Sequence, residues 1–292
     1  MAFTRTDARI LNRAVTTAGG TLPDTLANLL KAAEEIHAAA NKPAGDPLAG
    51  LADAAAAGKA TAAKIQSAFD LAGTQAAQAD HAQRTQREAE RAVMSRFRRE
   101  LVNGGADQIL DSLRPAFDEH IAGIAAIAEN IDIHGHTPES FLNIATPKTL
   151  ALWQSIGTHV DALDRIAAVT DLLAHNSEAR VIPRPDGGTR LTTRLTALRG
   201  RALYCGSDQL GVDDAHDIWR TNGPHRRSAW FKLYSVAELR TVAEATERLR
   251  TWCETTWDAF EDARASRHTS VDGELVPDPP QPNPFRRVEE TV

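Results

Sequence analysis

The sequence predicts a mainly α protein: an elongated helical bundle with a long Ala-rich helix, a small irregular α+β segment, a long C-terminal helix and an extended Pro-rich tail. Three observations carry that expectation. Apolar residues return every three or four positions over most of the chain, the spacing that keeps side chains on one helix face. Helix stop signals, such as Gly19-Gly20 and Asn103-Gly104-Gly105, fall between those runs. Glycine and proline crowd into 177–234 and again near the C-terminus, where the periodicity fails.

The elements follow in order. Residues 5–17 read as a short helix and 23–40 as a stronger one, with Leu26, Leu29, Ala33, Ile36 and Ala40 in a 3-4 spacing behind Pro23. Residues 42–45 read as a loop, and Asp46-Pro47 as a helix start. A single helix is expected over 60–103. Its seam is Ile65, Phe69, Ala72, Ala76, Ala79, Ala82, Gln86, Ala89, Val93, Phe97 and Leu101. Alanine propagates helix well but buries little area, so such a seam needs close partners. Ala72, Ala79, Ala89 and Val93 are therefore the candidate self-association positions.

Residues 106–131 carry large core side chains: Leu110, Leu113, Phe117, Ile121, Ile124, Ala128 and Ile131. Pro115 within that run predicts a kink or a restart. A short helix opens at Thr137-Pro138-Glu139. A longer one opens at Thr146-Pro147 and buries Trp153, Ile156, Val160, Leu163, Ile166 or Ala167, and Leu173. Val181-Ile182 and the alternation Leu191, Thr193, Leu195 read as short strands around a Pro185-to-Gly188 turn, with a helix over 192–201 as the competing reading. The last helix is expected to begin at Ser235, with Glu238 completing a capping box, and to run to about 266. The expected organisation is thus a helical bundle over 1–176, the small irregular α+β segment over 177–234, a helix over 235–266 that packs on the bundle, and an extended or disordered tail over 267–292.

Composition bounds the function. A net charge of −6 disfavours a chain that coats nucleic acid. Segment 81–105 holds six basic and three acidic residues while 106–176 holds three and ten, so basic and acidic helices are expected to neutralise each other within the fold. Two cysteines, Cys205 and Cys253, are too few for a disulfide framework, and Cys253 lies on a buried seam. Residues 1–20 have no continuous apolar core, and no stretch approaches the roughly 18 apolar residues of a membrane span, so a cytoplasmic setting is expected.

Several residue groups have the chemistry of a site. His134, His136 and Glu139 are suitable zinc or iron ligands, set against an ordinary polar turn that lacks a third fixed ligand. Asp208, Asp213, Asp214, His216 and Asp217 are dense enough for a hard cation but match no calcium-loop spacing, so a solvated loop or a helix cap is the plainer reading. Trp219, Arg220, Arg226, Arg227 and Trp230 interleave cations with aromatics over 219–234, which suits a protein hot spot or a nucleic-acid patch. The plainer alternative is that the aromatics pack on the last helix while the arginines face water. Arg114 and His120, six apart on a helical run, resemble the Arg-x4–6-His spacing of the HEPN ribonucleases. That resemblance implies a helical bundle whose pair binds phosphate and acts on a 2′-hydroxyl. It covers two residues, and the plainer assignment is a surface arginine and a core-flanking histidine.

No phosphate-binding glycine loop, dinucleotide fingerprint, zinc-protease motif or nucleophile elbow is present. The leading expectation is a non-enzymatic structural or assembly protein, without cofactor or metal, that pairs its helices with copies of itself or with another protein. Chains of this style occur among phage and prophage virion or accessory proteins, which would place it in a virion. The alternatives are an interaction module acting through 219–234 and a HEPN-like nuclease or metal-dependent enzyme. No membrane partner is expected.

Overall fold

In the computed structural model the described residues are 3–40, 51, 54, 56–135, 137–175, 181–182, 192–204, 211–265, 268–271, 274–277 and 281–286. The protein is mainly α. The expected loop at 42–45 and the Asp46-Pro47 helix start lie outside the described residues. By contact density the chain divides into two units, Met1–Arg9 with Asp24–Glu100, and Ile10–Pro23 with Leu101–Val292. The division falls inside α1 (Arg5–Thr17), which a Thr4–Asp7 exchange of hydrogen bonds caps.

The first unit is built on α2 (Asp24–Ala40) and α3 (Ala62–Glu100). Leu26, Leu30 and Ala33 of α2 are buried, as are Met94 and Phe97 of α3. Phe3 stacks on Phe97 with ring centres 5.4 Å apart and planes at 17°. Arg5 donates to Glu34 at 2.8 Å, and His37 meets Glu90 at 3.2 Å and Gln86 at 3.1 Å. The last turn of α2 therefore lies beside 86–90. At about 1.5 Å per residue, α2 spans about 26 Å against about 58 Å for α3, so α2 covers only the C-terminal part of that helix.

The second unit, after Ile10–Pro23, resumes at the turn Leu101–Gly105, where Gly104 adopts φ +103°, a backbone state that glycine tolerates best. The stop signal at Asn103–Gly105 thus acts as expected. Helix α4 (Ala106–Asn130) buries Ile109, Leu110, Leu113, Phe117, Ile124 and Ile127. The expected restart at Pro115 does not occur. Leu113 and Phe117 are fully buried on either side, and their packing offsets the N–H that proline lacks.

Helix α5 (Pro138–Leu142) starts at a Thr137–Ser140 capping box, and α6 (Pro147–His175) packs on α4 and buries Ile156, Val160, Leu163, Ile166 and Leu173. Helices α7 (Thr192–Arg201), α8 (Val212–Arg220) and α9 (Trp230–Leu233) follow. The strand expectation for 191–195 is corrected: the segment is helical from Thr192, and Leu195 and Leu198 are buried three residues apart on one helix face. Val181 and Ile182 are buried in a bend, and the expected Pro185-to-Gly188 turn lies outside the described residues.

Helix α10 (Val242–Ala265) begins seven residues later than the Ser235 signal. Residues 238 and 240 instead donate backbone hydrogen bonds to Tyr204 at 3.2 Å and Leu203 at 2.9 Å, which holds this stretch extended while Leu239 buries. The working cap is Thr241, which exchanges hydrogen bonds with Glu244. The tail is not plainly extended. His268–Val271 (β1) and Glu274–Pro277 (β2) form an antiparallel hairpin with His268 opposite Pro277. Beyond it, 281–286 dock on α10: Asn283 donates to the Glu254 carbonyl at 2.9 Å and to Asp258 at 2.8 Å, Arg286 donates to Asp258 at 2.9 Å, and Phe285 buries edge-on to Trp257.

Candidate functional site

The candidate self-association positions lie on α3 in two settings. Ala89 and Val93 are half-buried in the stretch beside α2, whereas Ala72 is half-buried and Ala79 exposed further toward the N-terminus. In that N-terminal half, Ile65 is 37% exposed, Phe69 55% and Leu71 51%. A globular protein rarely leaves three large apolar residues this bare within two turns of one helix.

The aromatic–basic segment separates into two parts. Trp230 is fully buried, T-shaped to Phe117 at 6.0 Å and to Trp219 at 5.2 Å, and its indole N–H donates to Asp164 at 2.9 Å. Burial raises the Asp164 carboxyl above its ordinary range, and that hydrogen bond partly offsets the rise. Trp219 is half-buried with the Arg201 guanidinium 4.5 Å from its ring centre, and Tyr204 completes the cluster. Trp230 thus packs against α4, α6 and Tyr204 rather than on the last helix, and Trp219 packs against Trp230 and Tyr204. Arg220 and Arg227 are exposed and Arg226 half-buried.

The cations at 226–227 meet a different aromatic. A cleft of about 500 Å³ is lined by Trp153, Gln154, Ile156 and Gly157 of α6 and by Pro224, His225, Arg226 and Arg227. Phe141 stacks on Trp153 at 4.3 Å and 15°, which sets the plane of the indole. His225 has φ +52°, and the one-turn helix it opens is held by Ser228 N–H to its carbonyl at 3.0 Å and by Gly223 N–H to the Arg227 carbonyl at 3.1 Å. Sequence reasoning missed Trp153 as the partner of these cations because about seventy residues separate them, and no local pattern encodes that pairing.

The remaining candidates are dispersed. Arg114 donates to the Leu239 carbonyl and to Asp111 at 3.2 Å, whereas His120 faces His159 of α6, their Nδ1 atoms 3.1 Å apart. Arg114 and His120 thus have different partners. Burial, and then the charge of His120, pushes the His159 imidazole below its usual range. His134 is exposed in a turn whose Asp132 accepts from the Gly135 N–H at 2.9 Å. Glu139 is exposed in the first turn of α5, and His136 lies outside the described residues. Among the described residues no three His, Cys, Asp or Glu side chains assemble as a metal site. Asp213 and Asp214 sit in the first turn of α8, where carboxylates complement the helix dipole, and Asp208 lies outside the described residues. Cys253 is buried and its thiol is pushed up to about 11, which suits a structural role. Among the described residues no helix is long and apolar enough to cross a membrane. No protein-family model matches this chain, nor does any curated protein or solved structure.

Proposed function

We propose that the protein is a non-enzymatic structural or assembly protein whose long helix α3 associates with a second copy of the chain. The observation that carries this reading is the bare apolar stretch of α3: Ile65, Phe69 and Leu71 are exposed where α2 no longer covers the helix. Ala72 and Ala79 continue the stripe of Ile65 and Phe69, whereas Leu71 lies on another face of the helix, and small residues let two helix axes approach closely. Burying a phenylalanine and an isoleucine from each chain supplies about 1.5–3 kcal/mol per side chain. A virion or accessory role in a phage particle is the specific form that suits such a rod-forming helix.

The test is absolute mass by light scattering on a sizing column across a range of concentrations. The native chain is expected to run as a defined oligomer, and Phe69→Glu with Ile65→Glu to run as a monomer with unchanged helicity. A concentration-independent monomer for the native chain would end this reading.

A further inference from the structure

The cleft beside α6 joins an apolar wall to a cationic one. Trp153 and Ile156 supply the first, and His225, Arg226 and Arg227 the second. Its volume of about 500 Å³ lies within the roughly 300–1,000 Å³ of small-ligand sites. We propose that this cleft binds a small anion with a planar aromatic body, of the nucleoside monophosphate class. The aromatic half of such a ligand matches Trp153, whose plane Phe141 fixes in advance. The phosphate matches two guanidiniums and an imidazole brought together by one short turn.

The cationic wall is held in place by backbone hydrogen bonds. The turn itself is rigid: Arg227 N–H bonds the Pro224 carbonyl at 3.2 Å, and Asn222 accepts the Ala229 N–H at 2.7 Å. Rigid placement lowers the ordering cost of binding. Glu139 lies close enough to feel the charge of Arg226, so the anion must compete with one carboxylate. A phosphate monoester carries about −1.5 to −2 and three acceptor oxygens, which favours it in that competition.

A nucleic-acid strand fits less well. Strand binding uses successive aromatic platforms along a basic groove. Here Trp230 is buried, Trp219 is packed against Trp230 and under Arg201, and the whole chain is acidic at −6.

The test is calorimetric titration of the full chain with AMP, UMP, adenosine and inorganic phosphate. One molecule of AMP or UMP is expected to bind per cleft, with adenosine and phosphate each weaker by about ten-fold or more, the equivalent of one lost interaction. Arg227→Ala, at an exposed position, is expected to weaken AMP by about ten-fold while the melting curve is unchanged, with Arg227→Lys intermediate. The proposal is overturned if neither nucleotide binds, if phosphate alone binds as well as AMP, or if the Arg226→Ala/Arg227→Ala double variant binds AMP like the native chain. A single-stranded oligonucleotide binding far more tightly than AMP would overturn it in favour of a nucleic-acid surface.

Discussion

Gly123 decides whether α4 and α6 can meet where they do. A Cβ at that position would sit 2.3 Å from the His159 ring, well inside van der Waals contact. Gly123→Ala is therefore expected to destabilise the protein by about 1–3 kcal/mol, as overpacking does, despite the better helix propensity of alanine. In a His159→Ala background the clash is gone, and the same substitution should stabilise by up to about 1 kcal/mol. Urea midpoints for the four variants decide this; additivity across the cycle would show that the clash is not what glycine avoids. His159 also carries a pH prediction. Its folded pKa is depressed below the ordinary imidazole value, so the unfolded chain binds more protons in that window. Stability is full above the ordinary value and falls as pH drops through the depressed one. Measured as urea midpoint against pH, the fall is expected to be shallower in His159→Asn. None of this was visible in the sequence, where His159 stands alone and its partner His120 is 39 residues away. Cys253, by contrast, was legible as structural because the seam periodicity places it inside, and its raised thiol pKa is what burial dictates.

At the scale of elements, periodicity located the helices well and local signals located their ends less well. Two Ser/Thr-x-x-Glu patterns, Ser235 to Glu238 and Thr241 to Glu244, lie six residues apart, and each alone reads as a helix start. Tertiary hydrogen bonds choose between them: the 240 amide, which a helix from Ser235 would bond to the 236 carbonyl, is taken by the Leu203 carbonyl, and the 238 amide by Tyr204. The Val242 amide finds Asp107 of α4 at 2.7 Å, which anchors the true start. Thr241→Ala is expected to cost about 1 kcal/mol and Ser235→Ala less than about 0.5 kcal/mol, read from thermal or urea unfolding. Equal costs would mean that capping does not set this boundary. Over 192–201 the helix reading holds and the strand reading fails. Alternation over Leu191, Thr193 and Leu195 fits a strand, yet Leu195 and Leu198 are both buried, which only the helical spacing allows on one face.

For the whole molecule, the sequence suggested that basic and acidic helices neutralise one another. The described ion pairs are mostly local instead: Arg84–Asp80, Arg96–Glu100, Arg220–Asp217, Arg250 with Glu247 and Glu254, and Arg264–Glu261 each lie within one helix. The exposed pairs among these contribute about 0–1 kcal/mol each and are screened by salt, whereas Arg264–Glu261 is largely buried. The sign of the salt response therefore separates the two kinds of contact this chain can make. Association through the Ile65–Phe69 face of α3 removes apolar surface from water, and raising NaCl to about 1 M, where the screening length is about 3 Å, should leave the oligomer mass unchanged or raise it. Occupancy of the cleft by a phosphate should fall in the same buffer. Light scattering at low and high salt reads the first and calorimetry the second. An oligomer that dissociates in high salt would shift the interface from the apolar stretch of α3 to its basic end, where Arg84, Arg87, Arg91, Arg96, Arg98 and Arg99 lie, and the partner surface would then have to be acidic.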